Sequence, residues 1–230
     1  MHVAGGQRNM NRETGYNLFN SHHAQLCDDP LILNSIISPT NSDKSEQATN
    51  LTWFPMRVTY QRELLLKQHL DALQIENFIP MRHQLVDTRE GKRRMLLPAI
   101  NNLIFVHSTQ QQLTHLKMTR SEFNPLRYMM KPKEEAEGWE IMQVPDRQME
   151  QFIRVASAAE DQVQFLDYDD YLRKVGKRVR IVDGDFAGVE GVIKRIKKNK
   201  YVVVQIEGVA AVAITYVPAH YLTEIQTNKT

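Results

Sequence analysis

His107 beside Ser108 is the nearest approach in this chain to a nucleophile and its base. Both sit in "NNLIFVHS", a run with the character of a strand, where adjacent side chains point to opposite faces and cannot share a proton usefully. His22-His23 lacks further ligands at metal spacing. Asp167, Asp169 and Asp170 lack the glycine and glutamate of a calcium loop. Cys27 is the only cysteine, so neither an intramolecular disulfide nor a multi-cysteine zinc site can form. Gly184, Gly188 and Gly191, in "IVDGDFAGVEGVIKRI", are the candidates for a phosphate cradle. A P-loop, however, runs into Gly-Lys-Ser/Thr and then a helix, whereas Gly191 leads into "VIKRIKK", which suits a strand. The dinucleotide pattern G-x-G-x-x-G fails as well. The expectation is a protein without catalytic residues, metal or cofactor.

A length of 230 residues fits one large or two small domains plus a tail. The apolar run "PLILNSII" from Pro30 is too short to span a bilayer, and no signal peptide precedes it, so a cytoplasmic protein is expected. The net charge of +2 is unevenly spread: −2 over residues 1–52, +3 over 53–157, −5 over 158–172 and +5 over 173–226. Two basic blocks joined by an acidic strip suggest two modules, a linker and a polyanionic partner.

The elements that must carry such modules follow from hydrophobic period. Residues 1–50 are rich in Asn, Ser, Gln and Thr, without sustained period, and read as a disordered extension. "WFPMRVT" reads as a strand that Pro55 pushes toward an edge or an irregular start. In "QRELLLKQHLDALQ", Leu66, Leu70 and Leu73 share one helical face. "ENFIPMRHQLVDTR", the turn "EGK" (Glu90 to Lys92) and "RRMLL" predict a hairpin. "NNLIFVHS" is a further strand and "QQQLTHLKMT" a helix capped by Ser108 or Thr109. "PLRYMMK" is a strand, and "PDRQMEQFIRVAS" a helix with Met149, Phe152, Ile153 and Ala156 on one face. Residues 51–157 are thus an α+β domain with helices on an antiparallel sheet, and 158–172 an acidic linker. In 173–226 five short strands, "KRVRIV", "EGVIKRI", "YVVVQI", "VAAVAITYV" and "YLTEI", predict a small all-β barrel, since an open sheet that small would leave much edge unpaired.

Residues "VGKRVRIVDGDFAGVEGVIKRIKKNKYVVVQIEG" resemble a KOW (SH3-like) module, with its motif at Val182, Gly184, Phe186, Gly188 and Gly191. "WFPMRVTYQRE", the following helix, "FIPM", "EGKR" and "NNLIFV" resemble, in order and spacing, the N-terminal (NGN-type) domain of NusG-type transcription elongation factors. The likeness spans about 175 of the 230 residues. Pro80-Met81, the turn Gly91 to Arg93, and "GVEGVIKRI" are similar to the specialised RfaH and UpxY paralogues, and closest to UpxY.

The resemblance implies an antitermination factor that holds the β′ clamp helices of RNA polymerase and suppresses pausing, at a capsular or surface polysaccharide operon. A general NusG-like elongation factor, or an RNA- or ribosome-binding KOW protein, is the alternative. Leu103, Phe105 and Arg57 are the implied polymerase contacts, Leu103 and Phe105 lying on one face and Ile104 and Val106 on the other. Plain core is the competing account of that pair. Arg62, Lys67 and His69 are the candidates for non-template DNA or nascent RNA, with a solvated helix face as the competing account of each. The basic run Lys194, Arg195, Lys197, Lys198 and Lys200 either binds a partner, NusE or Rho included, or solubilises an edge. Tyr201 to Ile206 is β-branched, which favours a stable barrel over the helical hairpin that RfaH forms. A monomer is expected, with no membrane partner.

Overall fold

The computed structural model describes residues 51–166, 176–196 and 199–225. The expected disordered extension, Cys27, the His22-His23 pair, the aspartates at 167, 169 and 170, and Lys197 and Lys198 lie outside them.

The first module is built on a four-stranded sheet of order β2-β5-β1-β6. Strand β1 (Thr52–Val58) pairs antiparallel with β5 (Leu103–Ser108) from Thr52↔Ser108 to Arg57↔Leu103. Short strands β2 (Asn77–Phe78) and β6 (Leu126–Tyr128) flank them. Period-two alternation then sorts side chains between two cores. Phe54, Met56, Val58, Ile104 and Val106 face helices α1 (Glu63–Ala72) and α2 (Gln110–Thr119), where Leu66, Leu70, Leu113 and Leu116 meet them. Trp53, Leu103 and Phe105 face α3 (Asp146–Ala156), which contributes Met149, Phe152, Val155 and Ala156. Thr109 caps α2, its hydroxyl accepting from the Gln112 N–H at 3.1 Å.

Pro55 does not put β1 at an edge. The strand is interior, but β6 pairs only with Met56 to Val58, so the N–H that proline lacks is not needed at position 55. Prolines and turns also divide two predicted strands. "ENFIPMRHQLVDTR" becomes β2 and β3 (Met81–Thr88) on either side of Pro80, and "PLRYMMK" becomes β6 and β7 (Met130–Pro132). Strand β3 pairs with β4 (Gly91–Pro98) as a two-stranded ribbon, and β7 with β8 (Trp139–Ile141) as a second one.

The C-terminal region is a six-stranded antiparallel sheet of order β14-β10-β11-β12-β13-β9. The five predicted strands are β10 (Arg178–Ile181), β11 (Glu190–Ile196), β12 (Asn199–Ile206), β13 (Ala210–Ile214) and β14 (Leu222–Glu224). The sixth, β9 (Val163–Leu166), lies within the expected linker and pairs with β13 from Val163↔Ile214 to Leu166↔Ala211. Its charge pattern concealed it: Val163 and Leu166 are buried while acidic residues stand on either side. The core of this sheet is continuous with that beneath α3, so Phe152 and Val155 share one apolar cluster with Val202, Val204 and Val212.

Candidate functional site

The face of the first sheet that carries Leu103 and Phe105 is closed over. The Phe105 ring lies 5.6 Å from Phe152 of α3 and 6.4 Å from Phe78, and its exposure is 0%. Leu103 is buried beside it. The face on which the pair was expected is therefore a packed interior, because α3 brings a fully buried phenylalanine down onto it. Burial of one such ring favours the folded state by about 2–3 kcal/mol. Arg57, opposite Leu103 in the ladder and therefore on the same face, is exposed, with Arg127 its neighbour on the other side. The three residues adjoin, but only the arginine reaches solvent.

Beyond Arg57 the chain makes a turn with two successive non-glycine residues at positive φ, Tyr60 (64°) and Gln61 (52°). Such backbone costs roughly 1–3 kcal/mol per residue and needs an anchor. Asn102, itself at φ 60°, provides one: its side-chain oxygen accepts from the Gln61 N–H at 3.1 Å. The Asn102 N–H in turn donates to Glu63 Oε1 at 3.2 Å, and Glu63 is almost completely buried. The turn holds the Tyr60 ring out to solvent at 84% exposure, with the Arg62 guanidinium 5.8 Å from its centroid.

On α1, Lys67 is engaged locally, its Nζ donating to Asp71 at 3.1 Å and to Asn77 at 3.3 Å. Hydrogen bonds from Asn77, then from Lys67, hold the Asp71 carboxyl below the usual carboxylate range. His69 packs edge-on against Phe123 with centroids 6.3 Å apart. Of the three nucleic-acid candidates, Arg62 alone stands beside an exposed aromatic, and the sequence reading missed Tyr60. An aromatic just before a predicted helix, followed two residues later by arginine, was the available signal.

His107 and Ser108 point apart. The His107 ring stacks on Trp53 at 4.9 Å and bonds Glu76 at 2.7 Å through Nδ1, while the Ser108 hydroxyl donates to Gln112 at 2.6 Å. Among the described residues no group of His, Cys, Asp or Glu could hold a metal ion, and no helix is long and apolar enough to cross a membrane.

In the C-terminal sheet Gly184 and Gly188 turn the chain at φ 81° and 86°. Phe186 between them is buried in the shared core, and Val182 is exposed while its N–H donates to the Tyr221 carbonyl at 2.8 Å. Within the basic run, Lys194 is 6% exposed and bonds Gln205 at 3.2 Å, and burial lowers its pKa. Arg195 and Lys200, opposite each other in the ladder, are exposed. The run is thus divided between interior and surface.

The joint between α3 and this sheet is polar at its rim. The Glu190 carboxylate accepts from Arg180 at 2.6 and 3.1 Å and from Arg147 of α3 at 2.8 Å. Hydrogen bonding to Arg180, and then the charges of Arg147, Arg180 and Arg178, hold the Glu190 carboxyl below its ordinary value against a smaller burial effect. Arg154 reaches the Ala187 and Asp185 carbonyls at 2.7 and 2.6 Å. The partners of Arg147 and Arg154 lie more than thirty residues away in the chain, and nothing local in the sequence signals them.

Residues 51–153 match the family described as "NusG: Transcription termination factor nusG". No curated protein matches the chain.

Proposed function

We propose that the chain is a NusG-type elongation and antitermination factor that binds RNA polymerase at the β′ clamp helices through residues 51–157, and that its C-terminal sheet is a KOW module. The observation that carries this reading is the NusG-family match over 51–153, which coincides with the four-stranded sheet and its three helices. The contact is centred on the sheet face of Arg57, Leu103 and Phe105. Arg57 forms its accessible edge, with Leu103 and Phe105 buried behind it. The UpxY-like Pro80-Met81, turn Gly91 to Arg93 and "GVEGVIKRI" favour a specialised factor acting on a surface-polysaccharide operon over a housekeeping one. The exposed pair Arg195 and Lys200 is the part of the basic run offered to a KOW partner such as NusE or Rho.

Capture of purified RNA polymerase by the full chain tests this reading, with readthrough measured on the leader of the neighbouring operon. Arg57→Glu is the informative variant, since its side chain is exposed. Capture is expected to weaken at least about tenfold, with thermal unfolding unchanged. Phe105→Asp does not isolate binding, because it leaves an unpaired carboxylate in the core. A chain that co-purifies with ribosomes and never with polymerase would refute the proposal.

A further inference from the structure

Apart from Met81, which packs against the core beneath α1 and α2, neither core accounts for the β3–β4 ribbon. Its two strands of eight residues pair only with each other, from Met81↔Pro98 to Thr88↔Gly91, and form a separate sheet. At about 3.3 Å per residue it is roughly 26 Å long. Paired residues share a face, so the register defines two surfaces. One carries Arg82, Gln84, Val86 and Thr88 with Arg93, Met95 and Leu97, and it holds no carboxylate. The other rests on Glu160, which accepts from the His83 backbone N–H at 2.6 Å and pairs with Arg94.

The ribbon is also charged and uncovered. Residues 81–98 hold five Arg or Lys against two Asp or Glu, a net +3 with histidine neutral. Arg93 pairs with Glu90 and Arg94 with Glu160, while Arg82, Arg89 and Lys92 form no ion pair among the described residues. Leu85 is 74% exposed, and Met95 and Leu96 are exposed too. Unpaired cations interleaved with exposed apolar side chains suit a partner that is anionic and also offers apolar edges.

We propose that this ribbon is a DNA-binding arm that enters the major groove of B-form duplex DNA. A two-stranded ribbon fits that groove, which is about 12 Å wide, whereas the major groove of A-form RNA is too deep and narrow to admit one. Arg82, Arg89 and Lys92 meet phosphates and set the salt dependence. Gln84, Thr88 and Arg93, which in the free ribbon bond the Pro98 carbonyl, the Gly91 carbonyl and Glu90, exchange those partners for base edges, and Val86 and Met95 present apolar groups to thymine methyls.

Fluorescence anisotropy of the full chain on a labelled duplex of about 20 base pairs tests the arm directly. Replacing Arg82, Arg89 and Lys92 together by Ser is expected to weaken binding at least about tenfold and to flatten the slope of log K against log salt by roughly 3. Arg82→Lys with Arg89→Lys should keep the slope, and equal thermal unfolding of all variants excludes a folding effect. Arg120→Ser with Lys133→Ser, exposed and outside the ribbon, should leave duplex binding unchanged. Methyl green, a major-groove ligand, is expected to compete, and netropsin, a minor-groove ligand, is not. An unaltered salt slope in the triple variant, equal affinity for an RNA duplex of the same sequence, or competition by netropsin alone would each overturn the proposal. The assay contains no polymerase, so its outcome is independent of the capture experiment above.

Discussion

Two hairpins of this chain, β3–β4 and β11–β12, read alike in sequence and end in opposite environments. Both set basic residues among branched or long apolar ones around a polar turn. In the second, β11 also pairs with β10 and β12 also pairs with β13, so both outer edges are occupied and the apolar side chains fall into a closed core. In the first, neither strand has another partner, and Leu85 and Leu96 stay in solvent. Edge pairing, more than composition, decides whether such a hairpin is scaffold or arm. The same difference acts on the cations: Lys194 is drawn inside and bonds Gln205, whereas Arg82 and Lys92 remain outside.

The two glycines of these hairpins offer the strongest way to break the comparison. A Cβ on Gly191 meets Val202 Cγ1 and the Val203 carbonyl oxygen at 2.8 Å each, so the backbones of β11 and β12 would have to separate. Gly191→Val is expected to cost about 3 kcal/mol or more in urea unfolding. Gly91, at the ribbon turn with φ 117°, has nothing within 4 Å of such a Cβ. Its replacement by Ala strains the turn alone, and global stability should fall by less than about 1 kcal/mol, because the ribbon touches a core only at Met81, at its far end. Equal losses at the two positions would mean that the ribbon is integral to the fold.

Side-chain truncation sharpens the contrast at smaller magnitude. Val203 is fully buried, and Val203→Ala should cost about 2 kcal/mol. Leu85→Ala should change stability by no more than about 0.5 kcal/mol in the same unfolding assay. A substantial loss at Leu85 would show that something in the protein covers the ribbon.

What was legible in the sequence divides along the same line. The strands of the C-terminal sheet and the helices were readable because apolar period and turn residues are local signals, and Phe186 is buried between two positive-φ glycines. Strand β9 was not, since its four residues carry too short a period to outweigh the acidic residues around them. The alternation of Leu103 and Phe105 against Ile104 and Val106 was correct, but that α3 would cover the first pair depended on packing. Glu190 gave no sign that three arginines would gather round it, two from neighbouring β10 and one from α3. The ribbon's hairpin was predicted, yet its isolation was not, because the absence of a third strand leaves no mark on the two that exist.

Each hairpin is anchored by one carboxylate, and their titration supplies the finest test. Glu160 holds the ribbon, with a pKa lowered to about 2 by the His83 backbone N–H and, after a smaller opposing burial effect, by the His83 side chain and Arg94. Glu190 holds the start of β11 through Arg180 and Arg147 and is likewise lowered. For Glu160 the anchoring is complete above the unfolded value near 4.5 and disappears as pH falls through the folded one near 2, and for Glu190 the sign is the same. The consequences differ because the neighbours differ. Protonating Glu190 leaves β11 laddered to β10 and β12, so its amide resonances should shift little. Protonating Glu160 removes the ribbon's contact with the segment after α3, so β3 and β4 amides should shift together between pH 4.5 and 2, and Glu160→Gln should reproduce that shift at neutral pH. A Glu160 titration at its ordinary value, with the ribbon resonances unmoved, would show that the arm is held by its strand ends alone.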